Sequence, residues 1–130
     1  MIRLSGDDWT GSKSNEWHVE QPSSGRIEEA VQSLDGRKKT EVTVSDDDPF
    51  RFISVSGGPD LFLVTGEMED GAITHLQSSA ENNQEVRLVC GGQLGVYQRS
   101  DLVTLDDAVR AVRDFLNGFP EGLTADWLVE

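Results

Sequence analysis

The side chains able to do chemistry are few and scattered. Two histidines, His18 and His75, lie far apart in a chain of 130 residues. A general base or a metal ligand needs partners, and neither histidine has one at ligand spacing. The run Asp46-Asp47-Asp48 supplies carboxylates as a calcium loop would. It lacks the alternate spacing, central glycine and terminal bidentate glutamate of an EF-hand, so a turn between strands is the simpler account. Gly57-Gly58 and Gly91-Gly92-Gln93-Leu94-Gly95 are glycine-rich. No Lys-Ser/Thr pair follows either, and no helix begins where a phosphate loop needs one. Glycines so placed allow turns and bulges at strand ends. Cys90 is the single cysteine, which excludes an intramolecular disulfide and a Cys-rich zinc site. Within Val86-Arg87-Leu88-Val89-Cys90 it reads as a small buried hydrophobe. No Ser-His-Asp arrangement can be assembled. The expectation is a protein that is not an enzyme, with no catalytic residue, no metal and no cofactor.

Charge narrows the partners. Asp and Glu number 24 against 11 Lys and Arg, a formal net charge of -13. Affinity for nucleic acid rests on clustered cations that release phosphate counterions, and anionic membranes attract the same cations. Direct binding to nucleic acid or membrane is therefore not expected, and the electrostatic complement is a basic partner. The start Met1-Ile2-Arg3-Leu4-Ser5-Gly6-Asp7-Asp8 lacks the apolar core of a signal peptide. No stretch approaches the ~18 apolar residues of a membrane span. The expected location is the cytoplasm.

The elements that must position these residues alternate between two periods. Residues 1–15, polar and Gly/Ser-rich from Ser5 to Asn15, read as a loose N-terminal arm. A single α+β domain is expected over 16–130. Glu16-Trp17-His18-Val19-Glu20 alternates as a strand. Pro22-Ser23-Ser24 opens a helix with Ile27, Ala30, Val31 and Leu34 at helical spacing, ended by Asp35-Gly36. Thr40–Ser45 alternates strictly, and Phe50–Ser56 and Leu61–Glu67 follow as strands around Gly57-Gly58-Pro59-Asp60. Glu69-Asp70-Gly71 is a tight turn into Ile73-Thr74-His75-Leu76. Gln77–Gln84 is a loop tip, Glu85–Cys90 a strand, and a short strand lies near Val96-Tyr97. Thr104 with Asp107 approximates a capping box. Leu105, Ala108, Val109, Val112, Phe115 and Leu116 then form one apolar stripe, closed by Asn117-Gly118 and Pro120. The order predicts an antiparallel sheet of about five to six strands with two main helices packed mainly on one face. A solvated opposite face should carry polar residues such as Glu41, Thr43 and Ser45.

Several pieces together resemble a known family. They are Val86–Gln93, Tyr97, Leu102–Ala111, Phe115, Trp127 and Glu130, with Leu34-Asp35-Gly36 before Thr40–Val44, and Phe52–Gly58. This pattern, over about residues 16–130, is similar to the first-numbered immunity protein family of bacterial polymorphic toxin systems. Members are commonly found beside toxins of the deaminase superfamily. The resemblance implies an immunity protein that binds and neutralises a cognate toxin by occluding its active site. That toxin would be a nucleic-acid-targeting deaminase, basic around its active site.

The toxin-binding candidates are the acids expected in turns: Asp46, Asp47, Asp48, Glu67, Glu69 and Asp70. Trp9 and Trp17 are candidate aromatic anchors, Trp17 with a competing place in the core. Gly91, Gly92, Gln93 and Trp127 match the family pattern. Because relatives meet different toxins through variable loops, these four are read as structural. Two other classes fit the same residues. One is an acidic interaction or regulatory domain with another basic partner. The other is a small-ligand or enzymatic domain using His18 or His75 in a cavity between sheet and helices.

Overall fold

The structure, a computed structural model, describes residues 1–47, 50–67, 73–76, 84–117 and 127–129. In chain order the elements are β1 (Ile2–Gly6), β2 (Trp9–Thr10), β3 (Lys13–Ser14), β4 (Trp17–Glu20), α1 (Ser24–Gln32), β5 (Glu41–Asp47), β6 (Phe50–Gly57), β7 (Phe62–Glu67), β8 (Ile73–Leu76), β9 (Glu85–Cys90), β10 (Gln93–Gln98), a 3-10 turn (Arg99–Asp101), α2 (Leu105–Leu116) and β11 (Trp127–Val129). Seven strands form one antiparallel sheet in the order β11-β8-β7-β6-β5-β1-β4. The fold is α+β, as the alternation of periods predicts.

Strand alternation separates the two faces. Leu4 on β1, Val42 and Val44 on β5, Ile53 and Val55 on β6, and Val64 on β7 are all buried on one side. Both helices lie there. α1 contributes Ile27, Ala30 and Val31, and α2 contributes Ala108, Ala111, Val112 and Phe115. The N-caps are those expected: Ser23 Oγ accepts from Arg26 N at 3.1 Å, and Thr104 Oγ1 accepts from Asp107 N at 3.4 Å. Arg113 joins α2 to α1 through Glu28 at 2.6 Å. Arg51 donates to Phe115 O at 2.7 Å, satisfying a carbonyl that the helix end leaves open. No helix among the described residues is long and apolar enough to cross a membrane.

Two expectations are corrected. Residues 1–15 are not a loose arm: β1 sits inside the sheet, paired with β5 and β4, and Leu4 is fully buried. Ile2-Arg3-Leu4-Ser5 does alternate, but one short run beside a Gly/Ser tract is outvoted locally until the tertiary pairing supplies its neighbours. The second concerns the short strand expected near Val96-Tyr97: β10 runs over Gln93–Gln98 and pairs with β9 as a two-stranded ribbon separate from the large sheet. The expected turn at Glu69-Asp70-Gly71, the tract Gln77 to Asn83, and Gly118 and Pro120 lie outside the described residues.

Phe115 has no accessible surface and stands at the centre of the helix-to-sheet packing. Phe115→Ala should cost about 3–5 kcal/mol in urea unfolding. Val112→Asp should cost more, because it buries a charge with no partner. Wild-type stability for either variant would contradict this buried face.

Candidate functional site

The face away from the helices is open and polar. One row crosses six strands in register: His18, Ser5, Thr43, Ser54, Thr65 and His75. Thr43 and Ser54 hydroxyls hydrogen-bond at 2.9 Å. The two histidines of this row stand five strand spacings or roughly 24 Å apart, beyond any joint proton transfer or shared ligand. Among the described residues no group of three His, Cys, Asp or Glu could hold a metal ion.

The adjacent row runs Glu20, Arg3, Ser45, Phe52 and Glu67. Arg3 Nε donates to Glu20 Oε1 at 2.8 Å. Phe52 touches Phe50 with ring centroids 5.9 Å apart and planes tilted by 47°. Phe50 is 54% exposed, and Asp47 is its cross-strand neighbour. An aromatic pair with carboxylates on both sides thus stands on the solvent side of the sheet. Sequence reasoning passed over it because Phe50 and Phe52 read only as strand hydrophobes.

The toxin-binding candidates separate by strand parity. Asp47 and Glu67 belong to strands, not turns, and share the open face. Asp46 points to the helix side. It pairs with the N-terminal ammonium at 3.0 Å and with Arg51 at 3.5 Å. Its charge is committed within the chain. Asp48, Glu69 and Asp70 lie outside the described residues. Neither tryptophan is a free anchor: Trp17 packs on the core and under the Arg26 guanidinium at 5.0 Å, and Trp9 is held internally.

What holds Trp9 is a buried carboxylate the sequence reading never singled out. Asp7 Oδ1 accepts from the Thr40 and Glu41 amides at 2.7 and 3.0 Å. Asp7 Oδ2 accepts from Trp9 Nε1 at 2.8 Å and from the Thr40 hydroxyl. The Thr40 Oγ1 in turn accepts from Gly92 N at 2.8 Å. Gly91 and Gly92 form the two-residue turn of the β9–β10 ribbon with φ of 60° and 79°. Such a turn needs positive φ at both central positions. A side chain on Gly92 would also collide with the Trp9 ring. The glycine pair is therefore structural. Trp127 opens β11, opposite Leu76.

Beside this knot lies a cleft of about 320 Å³ lined by Arg3, Ser5, Glu16, His18, Glu41 and Thr43. Burial pushes the Glu41 carboxyl above its ordinary range; Asp7 and Glu16 add to the rise, and the Ser56 hydroxyl opposes it. Burial also pushes the Cys90 thiol up, against a hydrogen bond from Tyr97. A raised thiol stays protonated and is a poor nucleophile. Tyr97 is itself pushed up to about 12 by burial and by its contact with Cys90. Comparisons with family models, curated proteins and solved structures find no match for this chain.

The knot can be probed from both ends. Asp7→Ala strands several buried donors and should cost at least about 1–3 kcal/mol in urea unfolding. Gly92→Ala should cost about 1–3 kcal/mol, because a non-glycine residue is strained at that φ. A neutral effect in both would remove the knot as a structural element. Glu41 gives a pH signature with a definite sign. Its native carboxyl binds its proton more tightly than the unfolded one, so its contribution is full below the unfolded value and is lost as pH rises through the native value. Glu41→Gln should therefore match wild type in acid and be the more stable protein at neutral pH. Equal stability at both pH values would refute the burial assigned to this carboxylate.

Proposed function

We propose that this chain is an immunity protein that seats its open sheet face on a cognate polymorphic toxin and blocks the toxin's active site. The toxin class suggested by the family resemblance is a nucleic-acid-targeting deaminase. The observation that carries the reading is the Phe50–Phe52 pair, exposed beside Asp47 and Glu67 in a chain of net charge -13. An enzyme that acts on nucleic acid presents cations where phosphates lie. Carboxylates on an open sheet face can occupy those positions while an aromatic side chain fills a desolvated pocket. Occlusion requires shape and charge, and no bond is made or broken. The two kinds of contact act on different rates: opposite charge raises the association rate, and a packed aromatic anchor lowers the dissociation rate.

The test is binding kinetics with a basic deaminase toxin domain, taken from the gene adjacent to this chain's own where that gene encodes one. Association of wild type should slow between about 0.01 M and 0.15 M salt, as the screening length falls from ~30 to ~8 Å. Asp47→Lys with Glu67→Lys should slow association about tenfold at low salt, and much less at high salt. Phe50→Ala should chiefly speed dissociation and weaken binding by about 2 kcal/mol, roughly 30-fold. A basic partner other than this toxin, captured by the same face, would favour the regulatory alternative. Full affinity in both variants would move the interface off this face.

A further inference from the structure

We propose that β10 is a pairing edge through which two copies of this chain associate, forming a continuous four-stranded ribbon. β10 pairs with β9 alone among the described strands. The two-residue turn at Gly91-Gly92 makes Cys90 and Gln93 a hydrogen-bonded pair. From that start, Gln93, Gly95 and Tyr97 direct their backbone groups to β9, and Leu94, Val96 and Gln98 direct theirs to the free edge. Among the described residues, Leu94 and Val96 are also the most exposed aliphatic strand side chains, at 66% and 59%.

Free edges are usually protected by charge, proline or a bulge. β4, at one edge of the large sheet, carries Glu20 and its ion pair with Arg3. β10 has none of these protections: Gln93-Leu94-Gly95-Val96-Tyr97-Gln98 contains no charged residue and no proline. In a chain of net charge -13, a six-residue segment without charge is where a second copy can approach with the least local repulsion.

The occupant follows from self-complementarity. Antiparallel pairing about a two-fold axis at Gly95 sets Leu94 of each copy opposite Val96 of the other. All four of these residues have backbone groups at the free edge, so each pair exchanges two hydrogen bonds. Gly95 meets Gly95 at the close, non-hydrogen-bonded position. The four aliphatic side chains then lie on one face as a single cluster, with Val89 beside Leu94 in each copy. A one-residue slip would put them on opposite faces. A two-residue slip would set Leu94 opposite Gln98 and leave it exposed. The interface is small by the standard of stable complexes, so the dimer should be reversible and concentration-dependent. This inference does not depend on the toxin reading, and its test uses the chain alone.

Sedimentation of the full chain at rising concentration should show the mass doubling. Added salt should strengthen the dimer, because each copy carries the same net charge, whereas salt should slow capture of a basic toxin. Leu94→Lys with Val96→Lys, at solvent-exposed positions, should weaken the dimer at least tenfold. Hydrogen exchange gives a readout without mutation. The Leu94 and Val96 amides should slow as concentration rises, while those of Gly95 and Tyr97 stay unchanged because β9 already holds them. A monomer at every concentration, a dimer indifferent to the double variant, or no change at the Leu94 and Val96 amides would each overturn the proposal.

Discussion

A buried carboxylate, Asp7, holds three parts of the chain that would otherwise have no reason to meet. An ionised group loses its hydration on burial and is tolerated only where donors replace it. Here the donors come from the entry to β5, the Thr40 hydroxyl and the Trp9 indole. The Thr40 hydroxyl then passes the connection to the tip of the β9–β10 ribbon through Gly92. The loop that presents Thr40 is shaped by a second acid: Asp35 Oδ1 accepts from the amides of Arg37, Lys38 and Lys39. Slight burial raises the Asp35 carboxyl, and these backbone donors outweigh that to hold it below its ordinary value. Lys38 O in turn receives the Trp9 amide at 2.7 Å. The ribbon's place beside the large sheet is thus set by directional polar contacts, with Leu88 packed against Gly57 as the apolar seal.

Legibility in the sequence follows the same division. α2 could be read because cap, stripe and length agree over twelve residues. β5 could be read because β-branched residues alternate without a break, and Gly91-Gly92 could be read as a turn because few other residues accept its geometry. β1 could not, since its four alternating residues gain meaning only from β4 and β5, distant in sequence. Asp7 was hidden for a related reason: one acid among 24 has no local mark of burial. The ion pair of Asp46 with the N-terminus spans 45 positions. Nothing in the run Asp46-Asp47-Asp48 distinguishes the member that faces the helices from the next one, which faces solvent. Strand parity makes that distinction, and parity is known only once the register is known.

The arginines explain how so acidic a chain carries its charge. Arg3 meets Glu20, Arg51 meets Asp46 and the end of α2, Arg110 meets Asp107, and Arg113 meets Glu28. Arg26 lies over Trp17, and Arg99 donates to Leu102 O. Six of the 11 cationic side chains therefore have structural contacts within the chain. Most of these pairs are exposed and individually contribute little to stability. Each ion pair cancels a carboxylate with its cation, so the outward field follows from the excess of acids, a net charge of -13. In the proposed complex, a basic toxin would meet that field first, over tens of ångströms at low salt. Aromatic contact at Phe50 acts only at the last few ångströms, where water has left. In the proposed complex, long-range attraction and short-range hold fall to different residues of one face, so substitution would change one rate while sparing the other.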